Sequence, residues 1–127
     1  MDTNAPSAIC DPEINTFIGS IGIRPLGGDE TRTAELGYWL GEEYWGRGIM
    51  SDAAKVFARW VLENFTPEEV QRLEASVYGI NEASQKVVRK AGFVHEGTRR
   101  KAGFKSGEVF DILTFGMIRD DSGAGKR

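Results

Sequence analysis

Residues 33–40 alternate without interruption: Ala34, Leu36, Tyr38 and Leu40 fall on one side, and Glu35, Gly37 and Trp39 on the other. That period of two predicts a strand with one buried face. Residues 14–24, with Phe17, Ile18, Ile21 and Ile23, predict a preceding strand. Pro25 and Gly27-Gly28-Asp29 close it as a turn, so the two strands form a hairpin. From residue 49 to 65 the spacing changes. Ile49, Ala53, Phe57, Trp60 and Val61 make a helical stripe, with Asp52, Lys55, Arg59 and Glu63 off it. Thr66-Pro67 ends that helix, and residues 73–78 alternate again as a third strand. Asn81 is placed to cap a second helix running to about residue 90, with Ala83, Val87 and Val88 inward, and Gly92 ends it. Two further strands are predicted at residues 93–99 and 109–118, joined by a basic, turn-rich segment at 100–107. The order ββαβαββ predicts an α/β fold, a mixed sheet with helices.

Flanking this pattern, residues 1–13 show no periodicity and contain Pro6 and Pro12; they read as a loose arm, as does the tail at 120–127. Residues 14–119 make one domain, because 127 residues with 40% hydrophobic content suit a single core. The net charge of −3 provides no general attraction to nucleic acid or anionic lipid, so neither is an expected partner. A single cysteine, Cys10, excludes an internal disulfide and suggests a reducing, cytoplasmic setting. No apolar run reaches the roughly 20 residues of a membrane span, and residues 1–13 lack the regions of a signal peptide.

The stretch YWGRGIM, residues 44–50, lies between the second strand and the first helix. Gly46 and Gly48 can be read in two ways. They permit positive φ in a tight turn, or they let an anion approach the exposed N–H groups of a helix N-terminus. Two familiar phosphate loops are excluded. A triphosphate loop needs lysine and then Ser/Thr where Arg47 and Gly48 stand, and it would not carry Glu42 and Glu43 inside the cradle. A dinucleotide loop needs a third glycine at Ser51 and an acid near residues 78–80, where Tyr-Gly-Ile stands.

Together, AELGYWLGEEYWGRGIMSDA, NEASQKVVRKAGF and GEVFD, in that order, resemble the GCN5-related N-acetyltransferase (GNAT) superfamily, and within it the branch that acetylates ribosomal-protein N-termini. The likeness spans about residues 14–119. It implies a mixed, mostly antiparallel sheet flanked by helices, here lacking the usual N-terminal strand and two helices that wall the acceptor site. It also implies acetyl-CoA as co-substrate, an amine acceptor and no metal. The superfamily's acyl-CoA loop falls on Trp45, Gly46, Arg47, Gly48, Ile49 and Met50, with Met50 larger than the small residue expected there. By this resemblance residues 45–51, through Ser51, hold the pyrophosphate. The backbone of Trp39 and Leu40 pairs with the pantetheine arm, and Asn81 and Ser84 line the thioester end.

Acetyl transfer needs a neutral amine, a carbonyl within reach and a donor to the oxyanion. Glu35, on the strand before the loop, is the nominated base; the alternative is a salt-bridged strand glutamate. Ser84 resembles the branch's donor to the departing sulfur. Other branches place a tyrosine four residues further on, where this chain has Val88, and the plainer reading of Ser84 is a helix-surface serine. The glutamate that some members carry near the last hairpin corresponds to Gly103. Lys86, Arg89 and Lys90 suit either the 3′-phosphate of CoA or a solvated face. His95 has no ligand-spaced partner, which speaks against a metal site or a catalytic triad and for a surface or strand-filling role. Cys10 reads as a bystander, and Phe57 and Trp60 as core.

Two functions follow as expectations: an acetyl-CoA-dependent N-acetyltransferase acting on a primary amine, or a non-catalytic acyl-CoA-binding or interaction module. A bare sheet edge or an exposed apolar groove would favour a homodimer.

Overall fold

The computed structural model describes residues 5–11 and 16–119. Residues 1–4 and 12–15, which belong to the expected arm and the start of the expected first strand, and the tail at 120–127 lie outside this description. Six strands and two helices follow the order β1 Ala5–Asp11, β2 Thr16–Pro25, β3 Thr33–Leu40, α1 Ile49–Asn64, β4 Arg72–Tyr78, α2 Glu82–Ala91, β5 Val94–Lys105 and β6 Glu108–Ile118. They build one sheet in the order β1-β2-β3-β4-β6-β5. Every neighbouring pair is antiparallel except β3 with β4, which are parallel. This is an α/β fold with a mixed, mostly antiparallel sheet.

Two elements differ from the sequence pattern. Residues expected in a loose arm include β1, which pairs along β2 from Ala5↔Ile23 to Asp11↔Thr16 and carries Cys10 beside a bulge. Its position at the sheet edge explains why Pro6 is tolerated, since an edge strand can forgo a donor on its outer side. The segment at 100–107, expected as a connection, is mostly strand. β5 runs to Lys105, with its register broken between Arg99 and Gly103 and positive φ at Lys101, and the reversal is confined to Ser106 and Gly107.

Both helices lie on one face of the sheet. Ile21, Ile23, Ala34, Leu36, Leu73, Ala75, Val77 and Phe115 from the strands meet Ala54, Phe57, Ala58, Val61, Leu62 and Val88 from the helices in one buried cluster. Trp60 departs from expectation: it is 46% exposed and rests at the rim, 6.1 Å from the Phe57 and Phe65 rings. Ala83 is also exposed, whereas Val88 is buried and Val87 packs against the core as expected, joined by Ala91. The opposite face carries alternate side chains, among them Arg24, Glu35, Trp39, Arg72, Glu74 and Tyr78. There Arg72 bonds Glu74 at 2.8 Å and both Glu96 oxygens at 2.7 and 2.8 Å. The hydrogen bonds from Arg72 hold the Glu96 carboxyl below the usual carboxylate range.

Local chemistry sets the helix ends. Gly48, at φ 76°, begins α1, and Phe65 returns to extended backbone ahead of Thr66-Pro67. Asn81 caps α2 by accepting the Ser84 N–H at 3.0 Å. Gly92, at φ 106°, closes that helix, with the Phe93 N–H bonded to the Val88 carbonyl at 3.0 Å. At the other end of α1, Arg119 donates to the carbonyls of Leu62, Phe65 and Val70, the last two at 2.8 and 2.7 Å. One guanidinium thus ties the end of β6 to the end of α1 and the loop that follows it. Arg119→Ala leaves those carbonyls without this donor and is expected to lower unfolding free energy by about 2–3 kcal/mol in urea titrations. Arg119→Lys should recover only part of it, because an ammonium cannot span three acceptors as the guanidinium does.

Candidate functional site

Parallel pairing of β3 with β4 covers only Thr33↔Arg72, Ala34↔Leu73 and Glu35↔Glu74. Beyond that point residues 36–40 of β3 and 75–78 of β4 continue as strands without pairing to each other, so a wedge opens between them toward their C-terminal ends. Register fixes what faces this gap. The Gly41 N–H donates to Ile18, in step with the β2 pairing, so the backbone groups of Gly37 and Trp39 point to β2 and those of Leu36, Tyr38 and Leu40 point into the gap. On the other wall, the Gly79 N–H donates to Asp111, which leaves the backbone of Ser76 and Tyr78 facing inward.

This refines the sequence reading of the pantetheine contacts. The backbone of Trp39 is directed to Ser20 on β2, away from the gap. The Leu40 carbonyl does point into it, but it accepts the indole N–H of Trp45 at 2.8 Å. Tyr38 is the β3 residue whose N–H and C=O both face the gap, whereas the Leu36 N–H is taken up by the last parallel bridge, Glu35↔Glu74, and only its carbonyl looks into the apex.

At the mouth of the wedge stands the glycine loop. Gly46 and Gly48 both adopt left-handed φ, 78° and 76°, and a Cβ at either position would meet nothing within 4 Å, so the approach to the backbone is open. No side chain caps α1, and its first internal bond runs from Asp52 N–H to the Gly48 carbonyl at 3.1 Å. The N–H groups of Ile49, Met50 and Ser51 therefore have no acceptor within the helix. Met50 is 4% exposed and belongs to the core, so its bulk is turned away from the loop opening. Arg47 is exposed, its guanidinium 5.3 Å from the centre of the Tyr44 ring. These features, with the open gap behind them, fit a polyphosphate joined to an extended amide-bearing arm.

Ser84, in the first turn of α2, hydrogen-bonds through its hydroxyl to the phenol of Tyr38. Burial raises the Tyr38 pKa above the ordinary phenol value, against a smaller opposing effect of the Ser84 hydrogen bond. Asn81 is engaged as the helix cap, its side-chain oxygen accepting from Ser84 N–H. Glu35 is not brought to this group. It points to the opposite face of the sheet, at the apex of the wedge, and is paired with Arg24 across the β2–β3 ladder. Lys86, Arg89 and Lys90 are exposed on α2, with Arg89 5.1 Å from the Phe115 ring centre. His95 lies 5.1 Å from Phe115 and hydrogen-bonds to Gly97 and Thr98, which suits strand filling. Among the described residues no cluster of three or more His, Cys, Asp or Glu could hold a metal, and no helix is long and apolar enough to cross a membrane. Gly103 is buried, and a Cβ there would lie 2.1 Å from the Phe110 ring, which packs 4.6 Å from Tyr78.

Sequence reasoning missed Tyr38, whose place in an alternating strand made it look like a core filler, and the Trp45 indole bond to Leu40. It also missed an open cleft of about 740 Å³ lined by Gly79, Gln85, Thr98, Lys101 and Asp111 among others, which involves none of the loop residues. Asp111 accepts the Lys101 N–H there at 2.9 Å and so supports the positive-φ bulge in β5.

Comparison with known proteins identifies the family. The family model of the acetyltransferase (GNAT) domain matches residues 2–94. The chain is 31% identical over 103 residues to an uncharacterised N-acetyltransferase, YoaA, of Bacillus subtilis, covering 81% of this chain and 56% of the relative. It is 31% identical over 98 residues to the ribosomal-protein-serine acetyltransferase of Escherichia coli, covering 77% and 51%. Among solved structures, the ribosomal-protein-S5-alanine acetyltransferase of Vibrio fischeri superposes with a TM-score of 0.79 at 28% identity, covering 94% of this chain and 63% of that one. RimL, a ribosomal L7/L12 α-N-protein acetyltransferase solved in complex with coenzyme A, gives 0.71 at 25%, covering 82% and 56%. The chain thus spans about half the length of the curated relatives it matches, and it belongs to the acetyltransferase (GNAT) domain family.

Proposed function

We propose that this chain binds acetyl-CoA in the wedge between β3 and β4 and transfers the acetyl group to a primary amine by direct attack. The observation that carries this reading is the early end of β3–β4 pairing beside an uncapped, glycine-led helix N-terminus. Backbone N–H groups of residues 49–51 and the α1 dipole offer a site for the pyrophosphate. The Tyr38 backbone and the Leu36 carbonyl offer strand-like partners to the amides of the pantetheine arm, and Ser84 stands at the α2 end of the gap to donate to the leaving sulfur. The arm, by pairing with the open strand edge, would satisfy polar groups that the sheet leaves without a ladder.

The acceptor class we favour is a protein or peptide α-amine. This rests on family membership, on the ribosomal-protein substrates named for two of the relatives, and on chemistry. An α-amine with a pKa of roughly 7.7–8.0 is about one-tenth neutral at pH 7, whereas a lysine near 10.4 is neutral in only about one molecule in a few thousand. With Glu35 engaged by Arg24, little base catalysis is on offer, and an α-amine asks for little.

A second reading, a non-catalytic acyl-CoA-binding module, is favoured by one observation: Phe110 fills the space beside Gly103, where some relatives of this branch carry a glutamate. Thiol release measured with a panel of peptides and small amines separates the two, since sustained turnover excludes the second. Gly103→Glu should not rescue an inactive protein; it must displace Phe110 and should cost about 1–3 kcal/mol of stability in denaturant titrations.

For the cradle itself, Gly48→Trp should abolish acetyl-CoA binding in calorimetry, because a bulky side chain at φ 76° both strains the turn and covers the amides. Ser84→Ala should leave the Kd within about threefold and slow transfer roughly tenfold, the worth of one hydrogen bond. Equal binding by Gly48→Trp and the parent would refute the assignment.

A further inference from the structure

Where other branches of the superfamily bring a phenol to the thioester end from α2, this chain has Val88, which is fully buried. The phenol here comes from another element. Tyr38 lies on β3, 46 residues before Ser84, and its hydroxyl meets the Ser84 hydroxyl across the wall of the wedge. Three things make this contact more than packing. Tyr38 is on the face of β3 that packs toward the helices, yet its hydroxyl reaches the first turn of α2 and no deeper. The Ser84 N–H is already held by Asn81 at 3.0 Å, so the serine backbone is fixed and only its hydroxyl can rotate. The Tyr38 backbone also faces the gap, so the residue borders the proposed acyl-CoA arm twice.

A serine hydroxyl has one proton and two acceptor positions, and its neighbours decide where the proton points. When the Tyr38 O–H donates to Ser84 Oγ, the serine proton is free to point elsewhere. Burial keeps the phenol protonated through the neutral range, so it remains available as that donor.

We propose that Tyr38 is a positioning residue that acts through Ser84, orienting the serine O–H as a hydrogen-bond donor to the thiol sulfur of CoA. The inference rests on the acyl-CoA reading above. In the reaction the N–C bond forms as the C–S bond breaks and the electron pair leaves on sulfur. One proton from the amine passes to water. The Tyr38–Ser84 chain stabilises the thiolate without giving up a proton, since a phenol is a weaker acid than a thiol of pKa roughly 8.5.

The test reads the thiol directly and needs no turnover. CoA is titrated in complex with the protein, and the thiolate is followed by its ultraviolet absorbance. In the parent the bound thiol should ionise at lower pH than in Tyr38→Phe, by about 0.5–1 unit. Ser84→Ala should shift it upward by a similar amount, and the double variant should shift it no further, because the tyrosine acts through the serine. CoA affinity should stay within about threefold in all four proteins. If Tyr38→Phe fails to fold, an unshifted midpoint in Ser84→Ala alone overturns the proposal. Identical midpoints in the parent and Tyr38→Phe overturn it, and so do additive shifts in the double variant. Absence of CoA binding to the parent overturns both this inference and the acyl-CoA reading, whereas binding with unchanged midpoints removes only the inference.

Discussion

Parallel pairing between β3 and β4 stops at Glu35↔Glu74, and much of the molecule is arranged around that interruption. A continuous ladder would have satisfied the backbone of both strands and closed the sheet. Instead β3 stays paired to β2 up to Gly19↔Leu40, and β4 stays paired to β6 up to Tyr78↔Ile112. Each wall of the wedge is thus stiffened from behind while its inner edge remains open. A gap with rigid walls can present backbone donors and acceptors in a set direction, which a flexible loop could not do at the same entropic cost.

The flanking elements make sense as consequences. α1 crosses from β3 to β4, and its N-terminus is delivered to the mouth of the gap by two glycines in left-handed conformation. α2 begins just past the end of β4, where Asn81 fixes the first turn and brings Ser84 to the wall. Arg119 anchors the far end of α1, so the helix whose N-terminus faces the gap is held at its other end by charge-assisted bonds. The charged face of the sheet, with Arg24–Glu35 and Arg72 between Glu74 and Glu96, lies on the other side from the helices. Glu35 is paired with Arg24 on that face, which separates it from the Tyr38–Ser84 pair.

How much of this was legible in the chain differs by the kind of signal involved. The alternation of residues 33–40, the α1 stripe, the Asn81 cap and the Gly92 stop are local rules, and β3, α1 and α2 fall where those rules put them. β1 was not legible, because an edge strand containing a proline and lacking alternation is held by its partner and not by its own pattern. The length of β5 was hidden by a bulge that looks like a turn in sequence. At the site, the glycine loop could be read from spacing, whereas the exclusion of Trp39 from the gap needed the register, and the inward turn of Met50 needed the core. The pairing of Tyr38 with Ser84 had no sequence signal at all, since neither residue departs from what its own element would tolerate.

The central claim is that the wedge and the α1 N-terminus form one acyl-CoA groove. Backbone amide chemical shifts recorded with and without acetyl-CoA test it most directly. The account predicts that the largest changes fall on the N–H groups of Tyr38 and of residues 46–51, with smaller ones at Ser76 and Tyr78 and little at Lys101 or Thr98. Changes centred on the Lys101–Asp111 cleft, with residues 46–51 unmoved, would contradict it.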